Sequence, residues 1–264
     1  MSTTIRLLGS LPIKVCEGLG WRRPSGELKD MSCRVALLRM EVDGLIRLPP
    51  PRNAKPVSYV KHPDIESAVD RPLVAPEVDL ARISVERVDG KRDSLLWNAY
   101  VQRYHYLGHR LMPGAQLRYF IRSEGEPLAL LGFGASAWKV KPRDAYIGWT
   151  PEQRQRNLHL VVNNARLLIL PWIEKRNLAS KILATVARSI GDDWHARYAY
   201  RPVLLETFVE ESRFHGTCYR AANWQRLGVT KGRGKLDVRH RNDEPIKSVW
   251  TCPLVPDFRA HLCS

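Results

Sequence analysis

The stretch LLILPWIEKRNLASKILATVARSI, residues 167–190, decides how this chain is read. Leu167, Leu168, Ile169 and Leu170 form a short apolar run without charge, and Pro171 ends it because proline cannot donate to a sheet ladder. Beyond Asn177, the residues Leu178, Ile182, Leu183, Val186 and Ile190 recur at helical spacing. The pattern predicts a buried strand, a short connection and a helix whose first turn holds Asn177, Leu178, Ala179 and Ser180. A helix N-terminus offers unpaired N–H groups and partial positive charge, so these four residues are the candidates for a cofactor or anion site. The plainer alternative is a strand–helix unit of an α/β core.

Outward from that stretch the same rules place further elements. Val203 to Val209 is a second buried strand. Leu117 to Arg122 and Pro127 to Trp138 form a hairpin around Ser123-Glu124-Gly125-Glu126. Ile83 to Val88 alternates like a strand, and Asp93 or Ser94 opens a helix that runs to Tyr104. Asp144 to Trp149 reads as a loop, and Thr150 caps a helix that leads through Asn163, Asn164 and Arg166 into the central strand. Thr217 caps a short helix, an exit strand starts at Gly228, and Ile246 to Leu254 closes the sheet. The result is an α/β domain over residues 79–264.

The 264 residues suggest one large domain or a domain plus a smaller one. A formal charge of +15 favours a polyanionic partner, DNA first and an acidic membrane surface second. No apolar run reaches the roughly 20 residues of a membrane span. No signal-peptide core is seen, so a cytoplasmic location is expected. The five scattered cysteines show no paired spacing for zinc or a disulfide framework.

Residues 1–52 predict a helix, a turn, a helix beginning near Ser32 and a brief strand at Leu45 to Leu48, the order of a small winged helix-turn-helix. Arg22, Arg23, Lys29, Arg34 and Arg39 would supply its phosphate contacts. The proline-bearing segment 53–78 reads as an extended linker. Lys231, Arg233, Lys235 and Arg239, with interposed glycines, form a second basic stretch suited to a nucleic-acid backbone.

Several side chains are candidates for chemistry. His105 lies among aromatics, where a neutral imidazole could serve as a general base, although a packed histidine fits too. Glu206 is the single acid in the apolar strand VLLETFV: either a site carboxylate or a core acid paired with an arginine such as Arg166. Asn163, Asn164 and Arg166 could read a base edge, or could serve turns and caps. Asp144 is either a second acid or a turn residue, and Tyr219 and Trp224 either stack on a base or pack in the core.

The element order resembles the GNAT acyltransferase fold: a mixed central sheet flanked by helices. GTCYRAANWQRLGV at 216–229 is similar to the family's closing helix-and-strand phrase. In that family an acyl-CoA pyrophosphate sits on the helix after the central strand, at a basic-x-x-Gly-x-Gly/Ala loop. Here Glu174 and Asn177 depart from the pattern and Ala179 fits it, so the cofactor stays unknown and acetyl-CoA is not expected. Trp224 stands where many such enzymes carry a tyrosine acid.

A narrower resemblance rests on YHYLG at 104–108, GFGASAWKVKPRD at 132–144, IGW at 147–149, NLHLVVNNARLLILPW at 157–172, NLAS at 177–180 and GTCYRAANW at 216–224. These phrases are similar to the DruA family of the Druantia anti-phage system, whose relatives accompany transposases. That implies defence or transposition proteins as partners. The chain is also similar, more distantly, to Mom-type DNA modification proteins, whose His-Tyr pair is matched by His105 and Tyr106. Three functions are therefore expected: a DNA-binding, nucleic-acid-modifying enzyme, a non-catalytic DNA-binding component, or a metal-dependent nuclease using His105, Asp144 and Glu206.

Overall fold

The computed structural model describes residues 7–22, 26–49, 62–70, 77–112, 114–232 and 245–264. The chain divides into two units, Met1–Val57 and Ser58–Ser264.

The first unit contains helices α1 (Leu7–Gly18) and α2 (Asp30–Val42), with an isolated bridge between Arg22 and Leu28. The buried thiols of Cys16 and Cys33 meet between the helices, and burial raises that of Cys33. Asp30 opens α2 with its carboxylate at the positive end of the helix; Ser32, the expected cap, lies inside. Residues 45–48 form no strand, and the Leu48 N–H donates to Glu41 Oε1 instead. A wing is therefore missing among the described residues of this unit. Arg22, Arg34 and Arg39 are exposed and Lys29 is half-buried, while Arg23 lies outside the described residues.

The second unit begins with α3 (Pro63–Ala68), inside the segment expected to be an extended linker. Its Ile65, with Val69 just beyond, joins the main core. The hydroxyls of Tyr100 and Tyr104 donate to the carbonyls of Ala68 and Val69 at 3.4 and 2.8 Å. Then follow β1 (Ile83–Arg87), α4 (Lys91–Tyr104), β2 (Gln116–Ser123), β3 (Glu126–Ala135), α5 (Lys141–Ile147) and α6 (Pro151–Asn157). Next are β4 (Val161–Ile169), α7 (Leu178–Tyr198), β5 (Leu204–Glu210), α8 (Thr217–Ala221), β6 (Gln225–Val229), β7 (Lys247–Pro253) and α9 (Phe258–Leu262).

The strands form one seven-stranded sheet in the order β1-β2-β3-β4-β5-β7-β6. β4 and β5 pair in parallel and every other neighbouring pair is antiparallel. This is the mixed central sheet flanked by helices expected from the sequence. Alternation along β2 shows how both faces are covered. Tyr119 donates from its hydroxyl to Asp193 of α7, while Phe120, pointing the other way, meets Tyr100 of α4 edge-on. β3 is central, and so Leu128 to Gly134 are buried without alternation. The helical stripe Leu178, Ile182, Leu183, Val186, Ile190 and Trp194 is buried along α7.

Two local expectations change. Residues 141–147 are helix rather than loop, opened by Pro142 in the first turn and closed by Gly148 at φ 85°, a left-handed position that glycine adopts without strain. β4 starts at Val161, so Asn163, Asn164 and Arg166 sit within the strand rather than before it. Among the described residues no helix is long and apolar enough to cross a membrane.

Candidate functional site

β4 and β5 share three register pairs, Val161 with Leu204, Val162 with Leu205 and Asn163 with Glu206, and then part. On its other side β4 carries a bulge opposite Gly132 and Phe133. Asn164 fills the seam between the two irregularities. Its Nδ2 donates to the carbonyls of Gly132 at 3.2 Å and Arg166 at 3.0 Å. Its Oδ1 accepts from the Tyr219 hydroxyl of α8 at 2.8 Å, and its carbonyl accepts from Thr207 Oγ1 of β5 at 2.9 Å. Asn164 is 3% exposed, so it shapes the site rather than facing a substrate.

His105, the residue that ends α4, is half-buried near Arg166 of β4. Burial first, and the Arg166 charge second, lower its pKa from 6.5 to about 4. The ring is therefore neutral near pH 7. Its Nδ1 accepts the Leu107 N–H at 3.2 Å, which places the single ring proton on Nε2. His105 accordingly presents an N–H donor, not a free lone pair. In this tautomer the lone pair faces the Leu107 amide, and the imidazole offers its N–H to its surroundings. Arg166 is partly buried, with one guanidinium N–H on its neighbour's carbonyl, Ala165 O, at 2.7 Å. Desolvation lowers its pKa, yet guanidinium keeps its charge in proteins.

Tyr106 stacks on His105 with ring centres 4.9 Å apart and is 42% exposed. Phe214, also exposed, lies 5.5 Å from Tyr106, and the Arg213 guanidinium sits 4.7 Å over the Tyr106 ring. Burial raises the Tyr106 pKa and Glu210 adds to it, against Arg166 and Arg213. Glu210, at the end of β5, pairs with Arg213 at 3.6 Å. The region where β4 and β5 part thus brings near one another a neutral N–H donor, a partly buried cation, an aromatic stack and one carboxylate. Glu210, Arg213 and Phe214 had no sequence signal beyond their place after a buried strand.

Glu206 belongs to another network. It is fully buried and pairs with Arg143 of α5, not with Arg166: Arg143 Nη1 lies 3.0 Å from Glu206 Oε2. Burial raises the Glu206 pKa, and the Arg143 charge works against that rise. Arg143 also holds Asp144 Oδ1 at 2.8 Å and donates to Ala137 O at 2.8 Å. Asp144 further accepts from Trp149 Nε1 at 3.2 Å, from the Val140 N–H at 3.1 Å and from Arg154 at 3.5 Å. His105 is not in this network, so the expected trio of His105, Asp144 and Glu206 does not assemble. Among the described residues no three His, Cys, Asp or Glu side chains are placed to hold a metal ion.

The start of α7 fits a pyrophosphate poorly. Asn177 adopts φ 63° with no side-chain cap, so a side chain stands where a glycine would let the phosphate approach the backbone. Leu178 is buried in the core and its N–H donates to Lys175 O at 3.3 Å. The Ser180 hydroxyl turns back onto Asn177 O at 3.0 Å, Ala179 is half-buried, and Glu174 is exposed at the pattern's basic position. Trp224 is buried and edge-on to Tyr219, 5.1 Å between centres, and cannot replace a tyrosine acid. Of the basic stretch, Lys231 is exposed, and Arg233, Lys235 and Arg239 lie outside the described residues.

The family model described as Druantia protein DruA matches residues 52–261. No curated protein matches the sequence. Among solved structures the chain is similar to the ribosomal-protein-S18-alanine N-acetyltransferase from Escherichia coli, at 11% identity and TM-score 0.40 over 65% of this chain and 94% of that one. It is also similar to a Drosophila melanogaster polyamine N-acetyltransferase, at 17% identity and TM-score 0.39 over 64% of this chain and 97% of that one.

Proposed function

The chain belongs to the DruA family of the Druantia defence system, and from that premise we propose that it is a DNA-binding enzyme that modifies nucleic acid at the cleft between β4 and β5. The observation that carries this reading is His105, stacked on Tyr106 with its Nδ1 taken by the Leu107 N–H, near enough to Arg166 for that charge to help keep the ring neutral. A neutral imidazole donating from Nε2 near a partly buried guanidinium suits an oxygen that gains negative charge during reaction. Phe214 is an exposed aromatic beside the His105–Tyr106 stack and could meet a nucleobase, and Arg110, Arg166 and Arg213 supply positive charge around them. Glu210 is the carboxylate placed to take a proton, with Arg213 at 3.6 Å orienting it. Glu206 acts through Arg143 as a structural anchor. No step is assigned to acetyl-CoA, since the α7 N-terminus departs from what that cofactor needs. The exposed Arg22, Arg34 and Arg39 of the first unit and Lys231 of the second would add phosphate contacts.

The test separates a donor from a base. Cells carrying the intact defence system are challenged with phage, and their digested DNA is examined by mass spectrometry for altered nucleosides. The expected result is a modified nucleoside that disappears with His105→Ala and survives at a reduced level with His105→Gln, whose amide still donates. Loss of one such donor costs roughly 10²–10³ in rate. Unaltered DNA in the wild type, or equal loss in both variants, would reject this reading and favour a non-catalytic binding component.

A further inference from the structure

The segment that joins β3 to α5 is held more tightly than a surface loop requires. Ser136 Oγ donates to Val161 O at 2.7 Å, and the Ala137 N–H donates to Glu206 Oε1 at 3.3 Å. The Ala137 carbonyl accepts from Arg143 at 2.8 Å and the Val140 N–H donates to Asp144 Oδ2 at 3.1 Å. A buried Arg143, with its two carboxylates, thus fixes the loop from both ends. At its tip stands Trp138, 56% exposed. The Arg154 guanidinium lies 5.4 Å over the indole, itself held by Asp144 at 3.5 Å. Lys139 and Lys141 follow Trp138 in the chain and are exposed.

A large aromatic left in water on a tightly held loop, backed by a cation and followed in the chain by two exposed lysines, has the composition of a base-stacking platform. The two carboxylates that anchor the loop are paired with cations, Glu206 with Arg143 and Asp144 with Arg143 and Arg154, which offsets their charge toward a phosphate backbone. In an intact duplex the base faces are covered by their neighbours. Such a platform therefore takes an unpaired nucleotide, with the two lysines on adjacent phosphates.

We propose that Trp138, with Arg154, Lys139 and Lys141, is a stacking site for an unpaired base of a single-stranded or locally opened nucleic acid. This rests on the reading of nucleic acid as the substrate and extends it to the state of the strand. It also gives the Arg143–Glu206 pair a purpose: it keeps the loop preorganised, so little conformational freedom is lost when a base docks.

The test uses the full chain and an oligo(dT) strand of about 20 nucleotides, long enough for the site sizes of such grooves. The same labelled strand annealed as a blunt duplex is the control, and binding is followed by fluorescence anisotropy across a salt series. Trp138→Ala is expected to weaken strand binding by roughly 5- to 150-fold, the range of losing one stacked base. Trp138→Phe should keep most of the affinity, and duplex binding should change less than about twofold, within the range where stacking is not used. Lys139→Ala and Lys141→Ala should each reduce the salt slope by about one. Because the indole is exposed, an unchanged melting temperature confirms that the variants are folded. Strand binding untouched by Trp138→Ala, or strand and duplex weakened alike, overturns the platform and leaves Trp138 as a protein-facing surface. Wild-type protein that binds neither strand nor duplex at low salt overturns both the platform and the nucleic-acid reading beneath it.

Discussion

Arg143 Nη1 lies 3.0 Å from Glu206 Oε2, and neither side chain touches solvent. Two ions taken from water are costly to bury, and the cost is recovered when each satisfies the other. Glu206→Gln leaves Asp144 as the one carboxylate paired with Arg143. The expected loss is about 3–5 kcal/mol, which for a chain of this size lowers the melting temperature by roughly ten degrees. Differential scanning calorimetry checks it. A stable Glu206→Gln protein that lacks activity would restore Glu206 to the catalytic set.

His105 gives stability a pH dependence whose sign follows from its shift. Its pKa falls from 6.5 to about 4 on folding. Between those values the unfolded chain takes up a proton that the folded chain refuses, so stability falls as pH falls through that window and is whole above 6.5. The ring is partly exposed, so screening reduces the effect to about 1–2 kcal/mol. His105→Gln should flatten the slope. Arg166→Gln should flatten it in part, because burial is the larger cause and the Arg166 charge the smaller. Denaturant titrations at stepped pH measure both, and an unchanged slope in His105→Gln would show that the ring is not desolvated.

Gly216 precedes α8 at φ 67°, and a Cβ there would meet Trp250 Cζ2 at 2.6 Å. Left-handed strain adds about 1–2 kcal/mol to overpacking of about 1–3 kcal/mol, so Gly216→Ala is expected to destabilise by roughly 2–5 kcal/mol. The indole cannot yield without disturbing Tyr219, whose ring centre is 6.4 Å away and whose hydroxyl holds Asn164. Thermal melts should show the loss, and a stability within half a kcal/mol of wild type would contradict the close packing at α8.

Periodicity carried the parts of the fold that are buried along a whole face. The stripe from Leu178 to Ile190 and the apolar run at Leu167 to Leu170 both appear where expected, as do the hairpin and β5. Segments with mixed signals were harder. Leu45 to Leu48 is too short and too exposed to be held as a strand without a partner, and Asn163-Asn164 obscured the start of β4 because amides favour turns. The site divided in the same way. His105, Tyr106, Asn164 and Arg166 stood out as polar groups in apolar surroundings, and tertiary structure brings the other three near Arg166. Sequence could not reveal that Glu206 answers to Arg143, because that pairing joins a strand to a helix 63 positions earlier. Nor could it reveal that His105 has given its Nδ1 to the Leu107 amide.

The seam filled by Asn164 changes the meaning of a substitution there. With its amide on two carbonyls and its oxygen on Tyr219, this one side chain replaces the ladder bonds that a bulge and a parting pair of strands leave unmade. It works as a piece of backbone that happens to be carried by a residue. Aspartate has no amide to offer Gly132 and Arg166, and leucine has no acceptor for Tyr219. An inactive Asn164 variant would therefore report strands that have shifted against one another as much as a lost functional group.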